Sequence, residues 1–452
     1  MSGFTLADHQ VVALEVMDAN PHLGLFYDTG TGKTMIALEW LIRALRDGRI
    51  KSALVVCPAA LVGNWELSME KVLEFRGHTR RDVEMLKTRV KVVSYQRMYK
   101  VKRTPVKHRD GHVTYKRQLE LRPEVDRKWG AVIIDESHRI GNHSSIQTKA
   151  CMTLAKLARY RYILTGTPVT GGGGKEDFQK LFGQLNFLHP GMYPTWKSFC
   201  EDLVIGYDRW GKPNEYQVQK CRALMQKHAI VARLEDCYDM PPFTETEIPC
   251  LLEERQMYQD LKNGDFLKYG IDFETAGAQV AKMLQVCSGS MKRDKDTMML
   301  RSSKDEALKE ILEGTKDKVV VFCRFTASIE RARDVGVEAG RIVVIQDGRH
   351  PPNSWERFQF RDADLIICQY ASAGEGIDLY ASHTMVLFEP TLSARELKQA
   401  RARIYRKGQT YPCNIQYLFS PRTVEEKVLR TVRSGVDVTE DMMRRWAEGE
   451  EF

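Results

Sequence analysis

Asp28-Thr-Gly-Thr-Gly-Lys-Thr34 lies between a short apolar run at 24–27 and a helically spaced run at 35–46, and this strand, loop, helix order decides the fold. Gly30 and Gly32 let the backbone turn its N–H groups inward, and the helix N-terminus behind them adds favourable partial charge for a phosphate. In that setting Lys33 is placed to reach the β- and γ-phosphates of a nucleotide and Thr34 to ligate Mg²⁺, with Thr29 and Thr31 completing the cradle. Tyr27 stands where the full pattern has its first glycine, and a Gly-Lys-Thr turn alone can simply start a helix.

Outward from this loop, apolar runs at 53–57, 90–94, 131–134 and 162–165 alternate with stretches of helical spacing, the pattern of a parallel sheet covered by helices. A second series follows at 319–323, 342–345, 365–368, 385–388 and 415–419. The 452 residues exceed what one core accommodates. Two α/β lobes are therefore expected. Met240 to Pro249 holds Pro241, Pro242 and Pro249, which regular elements tolerate poorly, and marks the lobe junction. The expected division is a first lobe over 1–238, a second over 239–430 and a C-terminal tail over 431–452, with helical stretches at about 171–234 and 251–309. The Gly171–Gly174 run reads as a turn.

Composition narrows the function classes. A net charge of +8 permits contact with a polyanion but is thin over this length. Ten cysteines stand singly with no C-x-x-C pair, which argues against a zinc site or a disulfide framework. No run reaches the roughly 20 apolar residues of a membrane span, and Met1 to Gln10 is no secretory signal, so a cytoplasmic protein without membrane contact is expected.

Three further motifs carry chemistry. Ala131-Val-Ile-Ile-Asp-Glu-Ser-His138 is an apolar strand closing on two carboxylates; Asp135 can hold Mg²⁺ and Glu136 can polarise an attacking water. Tyr162-Ile-Leu-Thr-Gly-Thr-Pro168 ends on Thr165 and Thr167, which either couple the nucleotide to another ligand or cap a turn. Gln399-Ala-Arg-Ala-Arg-Ile-Tyr-Arg-Lys-Gly-Gln409 sets Arg403 and Arg406 three apart, on one face if helical, where guanidinium charge can serve a γ-phosphate on the other lobe.

With these motifs in this order the chain resembles the Swi/Snf-type ATPases of helicase superfamily two, over roughly residues 4–429. Leu6 to Gln10 is similar to the family's adenine-reading motif, with Gln10 as its glutamine. Leu54-Val-Val-Cys-Pro-Ala-Ala-Leu-Val-Gly-Asn-Trp65 and Val93-Ser-Tyr-Gln96 resemble its nucleic-acid-contacting motifs, which implies contacts at Pro58, Asn64, Trp65, Ser94, Tyr95 and Gln96. Thr165, Gly166 and Thr167 are implied in the same role, as are Arg324 in 319–325 and Ser372 in Ser372-Ala-Gly-Glu-Gly-Ile-Asp-Leu379. Gly376 and Asp378 of that last motif are implied nucleotide contacts. Gly141 replaces the family's lysine before Asn142, and Thr391, Leu392 and Ser393 replace its Trp-Asn-Pro.

The resemblance implies two RecA-like lobes using ATP and Mg²⁺ to step along double-stranded DNA, most simply as a monomer. The alternatives are a strand-separating or fork-remodelling helicase, and a nucleotide-gated scaffold that binds nucleic acid without turnover. Residues 97–128 hold eleven Lys or Arg against four acids, with Tyr99 and Tyr115 interleaved. This basic insert, with a hairpin turn expected at Asp110-Gly111, either neutralises phosphates or is solvated surface. No reader domain remains once these motifs are subtracted, which points to a viral or bacterial motor.

Overall fold

The computed structural model describes residues 5–75, 77–107, 113–169, 178–207, 211, 213–271, 275–293, 296–351, 353–373 and 377–447. Described residues through Asp239 form one compact unit and those from Met240 onward a second. In unit one the strands are β1 (His22–Tyr27), β2 (Ala53–Cys57), β3 (Val90–Ser94), β4 (Tyr99–Lys107), β5 (Val113–Leu121), β6 (Trp129–Asp135), β7 (Ala158–Leu164), β8 (Val204–Tyr207), β9 (Pro213–Tyr216) and β10 (Ala229–Ala232). Six of them form a parallel sheet in the order β10-β1-β7-β6-β2-β3.

Strands buried on both faces read as unbroken apolar runs, and all five residues of β2 are buried. One face receives helices α1 (Asp8–Ala19) and α2 (Lys33–Arg46), whose Leu14, Ile36, Trp40 and Leu41 join Leu25, Val55, Ile133 and Tyr162 in one cluster. The other face packs Leu54, Val132 and Ile134 against Leu154 and Phe187. The stretch expected to be helical contains helices at Leu181–Leu188, Trp196–Leu203 and Val218–His228, but also the β8–β9 hairpin and the edge strand β10. Four residues at an edge, with Val231 59% exposed, carry too little apolar pattern to announce a strand.

Unit two contains β11 (Phe243–Pro249), β12 (Ser290–Lys292), β13 (Thr297–Met299), β14 (Val319–Cys323), β15 (Val343–Gln346), β16 (Leu365–Gln369), β17 (Thr384–Leu387) and β18 (Cys413–Phe419). Its parallel sheet runs β11-β18-β17-β14-β16-β15. The expectation of two helix-covered parallel sheets holds. Two expectations need correction. The proline-rich junction is not structureless: Phe243–Pro249 pairs with Cys413–Phe419 as the sheet's edge, where one side needs no ladder bonds, and Pro241, Pro242 and Pro249 fall outside or at its limit. The supposed tail from 431 is part of unit two. Helix Glu440–Ala447 buries Trp446 in the cluster of Val280, Met283 and Val428.

None of the ten cysteines forms a disulfide; nine are buried and Cys237 is half-buried. Among the described residues no helix is long and apolar enough to cross a membrane.

Candidate functional site

In a parallel sheet, neighbouring strands deliver the loops after them to one edge. Leu25, Leu164 and Asp135 are register partners across β1, β7 and β6, so the loops at 28–32, 165–168 and 135–138 emerge side by side. A Cβ on Gly166 would come within 3.3 Å of Tyr27 O and 3.4 Å of Thr29 N, which shows how closely the Thr165 to Pro168 turn lies against the phosphate loop.

Gly30 and Gly32 adopt φ of 91° and 85°, the left-handed region that favours glycine, and Gly32 caps α2. Lys33 Nζ donates to Tyr27 O (2.8 Å) and Asp28 O (3.1 Å). Thr31 Oγ1 donates to Asp28 O at 2.7 Å. Gln10 Nε2 donates to Thr31 O (3.2 Å), while its Oε1 accepts from Ala7 N (3.0 Å), tying the loop to the start of α1. His9 Nε2 lies 3.0 Å from the same carbonyl and its ring meets Tyr238 edge-on at 5.1 Å. Sequence reading missed His9 and Tyr238, since nothing local in 238 points to residue 9.

Asp135 is buried. Its Oδ2 accepts from Trp65 Nε1 (2.8 Å) and its Oδ1 from Glu136 N (2.9 Å). Burial first, then the charge of Glu136, push its pKa up to about 7, against the opposing pull of the Trp65 N–H and the Lys33 charge. The Asp135 carboxylate and the Thr34 hydroxyl are hard oxygen donors of the kind Mg²⁺ takes, and Thr34 Oγ1 has no hydrogen bond among the described residues. Glu136 has φ 51°, one of two non-glycine residues with positive φ among the described residues. Its Oε2 lies 3.2 Å from His138 Nδ1, which is 3.1 Å from Thr165 Oγ1 and 3.4 Å from Thr167 Oγ1. His138, also missed, joins the carboxylate loop to the Thr165 turn.

Several implied nucleic-acid contacts are corrected by burial. Trp65, Tyr95, Thr165, Ser94 and Pro58 are buried, so their side chains do not reach a nucleic acid from these positions. Trp65 supports Asp135, and Tyr95 OH donates to Asp135 O at 2.7 Å. Asn64, Gly166 and Thr167 are half-buried and Gln96 is exposed. The Gly141 departure has a steric cause, because a Cβ there would lie 2.8 Å from Lys180 Cα.

In unit two, Arg324 follows β14, Gln369 ends β16 and Ser372 lies just beyond it. Arg324 and Gln369 line a cleft of about 480 Å³ with Thr391, Ser393, Glu396 and Asp437. Ser372 Oγ donates to Gln369 Oε1 (3.3 Å), and burial lowers the Arg324 pKa. Asp437 accepts from Ser393 Oγ (2.9 Å) and Ala394 N (2.8 Å), capping the helix Ala394–Ile404 from which Arg403 comes. Arg403 is buried with its Nη1 on Ile377 O (3.0 Å), and Arg406 pairs with Asp378. Gly376 lies outside the described residues, as do Gly171–Gly174 and the Asp110-Gly111 turn. Gln409 is a staple: its Oε1 accepts from Thr410 N and Tyr411 N at 3.0 Å each, and its Nε2 donates to Ser382 O at 2.8 Å.

Comparison with known proteins adds family context. The chain is 24% identical to the "DNA repair and recombination protein RDH54" of Saccharomyces cerevisiae, over 89% of this chain and 47% of that protein. It is also 24% identical to the "DNA repair and recombination protein RAD54-like" of Drosophila virilis, over 89% of this chain and 58% of that one. The chain thus spans about half the length of the curated relatives it matches. A solved "Sulfolobus solfataricus SWI2/SNF2 ATPase core in complex with dsDNA" is similar at 20% identity and a TM-score of 0.42, over 99% of this chain and 94% of that one. The two curated relatives come from a yeast and a fly, so the expectation of a viral or bacterial motor gains no support. The helicase conserved C-terminal domain matches residues 303–408 and the SNF2-related domain residues 9–332, and the chain belongs to the SNF2-related domain family.

Proposed function

We propose that this chain is an ATP-dependent motor, working as a monomer, that couples ATP hydrolysis to movement along double-stranded DNA. The observation that carries the reading is the convergence of Lys33, Asp135 and Glu136 on one sheet edge, with His138 linking Glu136 to the Thr165 turn. Family membership and the DNA-repair names of its relatives support the choice of substrate.

In this reading Lys33 exchanges its loop carbonyls for the β- and γ-phosphates, and Gln10 holds the loop against α1. Thr34 and Asp135 would hold Mg²⁺, which would neutralise charge at the phosphates. Glu136 orients and polarises the attacking water. Arg403, Arg406, Gly376 and Asp378 of unit two are proposed to be needed for turnover as well. The buried Trp65 and Tyr95 are positioning residues for Asp135.

The test is ATP turnover measured on duplex DNA, single strands, forks and RNA. Duplex should stimulate most, and Glu136→Gln should lower turnover by about 100-fold or more while retaining ATP binding. Stimulation by RNA without stimulation by duplex overturns the substrate assignment, and strand separation on forks would favour the unwinding alternative.

A further inference from the structure

Unit two holds a cleft whose polar groups the nucleotide site does not use. Its volume of about 480 Å³ falls within the roughly 300 to 1,000 Å³ of sites that take small molecules. One wall is the turn Thr391 to Ser393, which stands where the family pattern has Trp-Asn-Pro, so side chains smaller than an indole bound the space. Hydrogen bonds hold this wall in place. Val438 N donates to Leu392 O at 2.8 Å, Asp437 Oδ1 accepts from Ser393 Oγ and Ala394 N, and Thr391 Oγ1 donates to Glu396. Leu392 and Val438 give the cleft apolar surface, and Tyr370, whose hydroxyl is committed to Glu389 O at 3.0 Å, adds an aromatic ring.

Charge in the cleft is present but unmatched. Arg324 lines it, and the Arg324 side chain makes no hydrogen bond or ion pair among the described residues, with Nη1 buried and without a partner. Glu396 and Asp437 line the same cleft. Each accepts only from hydroxyl or backbone N–H groups, and neither makes an ion pair among the described residues. A simple anion would satisfy the arginine and be repelled by the two carboxylates, and a simple cation would meet the reverse. The set calls for a neutral ligand with acceptors on one edge and donors on the next.

We infer that this cleft binds a guanine base that is not paired to another base. Guanine presents O6 and N7 as neighbouring acceptors, which an arginine fork meets, and N1–H and N2–H₂ as neighbouring donors, which carboxylates accept. Adenine breaks the acceptor edge with its N6–H₂ donor, and thymine has no pair of adjacent donors. All of these bases are flat and suit a slot walled by a ring and aliphatic groups, so hydrogen bonding makes the choice. A paired guanine already uses N1–H, so the base must be unpaired or free. Nucleic acid and a free nucleoside can each supply it. Supply from nucleic acid rests on the proposed action on DNA, whereas the nucleoside does not.

Binding to the full chain is measured with two ligand sets: guanosine and adenosine by calorimetry, and labelled duplexes that are fully paired or carry one bulged guanine or one bulged thymine by fluorescence anisotropy. The expected result is a preference of about tenfold or more for the guanine ligand. A preference in the duplexes alone names nucleic acid as the source, and one with guanosine alone names a free nucleoside. Arg324→Ala and Glu396→Gln should each reduce the preference to about twofold or less, with the thermal midpoint checked in both. Replacing guanine by 7-deazaguanine, which lacks the N7 acceptor, should weaken binding to the parent and to Glu396→Gln but not to Arg324→Ala. That match of one atom to one residue separates a lost contact from a damaged fold. Equal binding of guanine and the other bases in both sets, or a preference that survives both substitutions, overturns the cleft assignment and leaves the motor reading standing. A chain that prefers guanosine but binds no duplex supports the cleft and overturns the motor reading.

Discussion

Glu136 occupies left-handed backbone space, where a Cβ is strained, and the turn it makes sends Ser137 and His138 back under β6 to Gln184 and Thr165. The strain is held by burial on each side. Ser137 Oγ donates to Gln184 Oε1 at 2.8 Å, and Tyr95 OH reaches both Asp135 O and Glu136 O. Asp135 depends on one side-chain donor, Trp65 Nε1. Trp65→Phe keeps the packing and removes the donor, so the Mg²⁺ concentration needed for half-maximal turnover should rise by about tenfold or more. An unchanged Mg²⁺ titration would show that Trp65 only fills space. Gln409→Ala removes a buried amide that meets both N–H and carbonyl groups, and urea unfolding of unit two should show a loss of about 2 kcal/mol. The phosphate loop and both carboxylates were legible in the sequence because their geometry is set by neighbours in the chain. Trp65, Tyr95 and His138 were not, since their partners lie 70, 40 and 27 residues away.

At the scale of elements, Gly183 lies inside the helix Leu181–Leu188, where glycine is disfavoured, because a Cβ there would overlap Ile140 O. Gly183→Ala should therefore destabilise unit one by about 2 kcal/mol or more by displacing the turn after Glu136, against a gain for the same change in an isolated helix. Thermal unfolding together with turnover checks it, and a stabilised variant would contradict this packing. The start of β1 carries a second constraint. His22 Nε2 accepts from Arg161 Nη2 (2.8 Å), His22 and His189 rings lie 5.7 Å apart, and His189 and His228 rings 4.4 Å apart. Burial lowers all three pKa values, His189 to about 4, helped by Arg161 and Lys227. Since the folded state favours neutral rings, the unfolded chain takes up protons first. Stability should fall as pH drops from about 6.5 toward 4, and be unaffected by these rings above it. Urea midpoints at pH 7 and 5 for the parent and for His189→Gln measure this; an equal fall in both chains would remove His189 as the cause. The cluster was illegible because it joins a strand start, a helix end and another helix end.

For the molecule as a whole, two units with separate cores mean that a ligand held by one stabilises that unit directly. With Mg²⁺ and ATP at about 100 times the dissociation constant, in Glu136→Gln so that ATP persists, the bound unit should gain about 2.7 kcal/mol. Hydrogen exchange should then slow around 28–34 and the end of β6 and remain unchanged in β14 and β16; slowing confined to unit two would contradict the assignment of the phosphate loop. The sequence by itself determined the alternation of strands and helices, the doubling into two sheets and which residues are proposed to bind the nucleotide, since periodicity and short motif spacing are local properties of a chain. Only the tertiary structure decided that the proline-rich junction is an edge strand, that the last helix packs into unit two and that Trp65, Tyr95 and Thr165 are buried supports. Each of those outcomes depends on what lies across a sheet edge or beneath a loop. Such neighbours are far apart in sequence, and the hydrophobic and hydrogen-bond energies that place them are shared across the whole core.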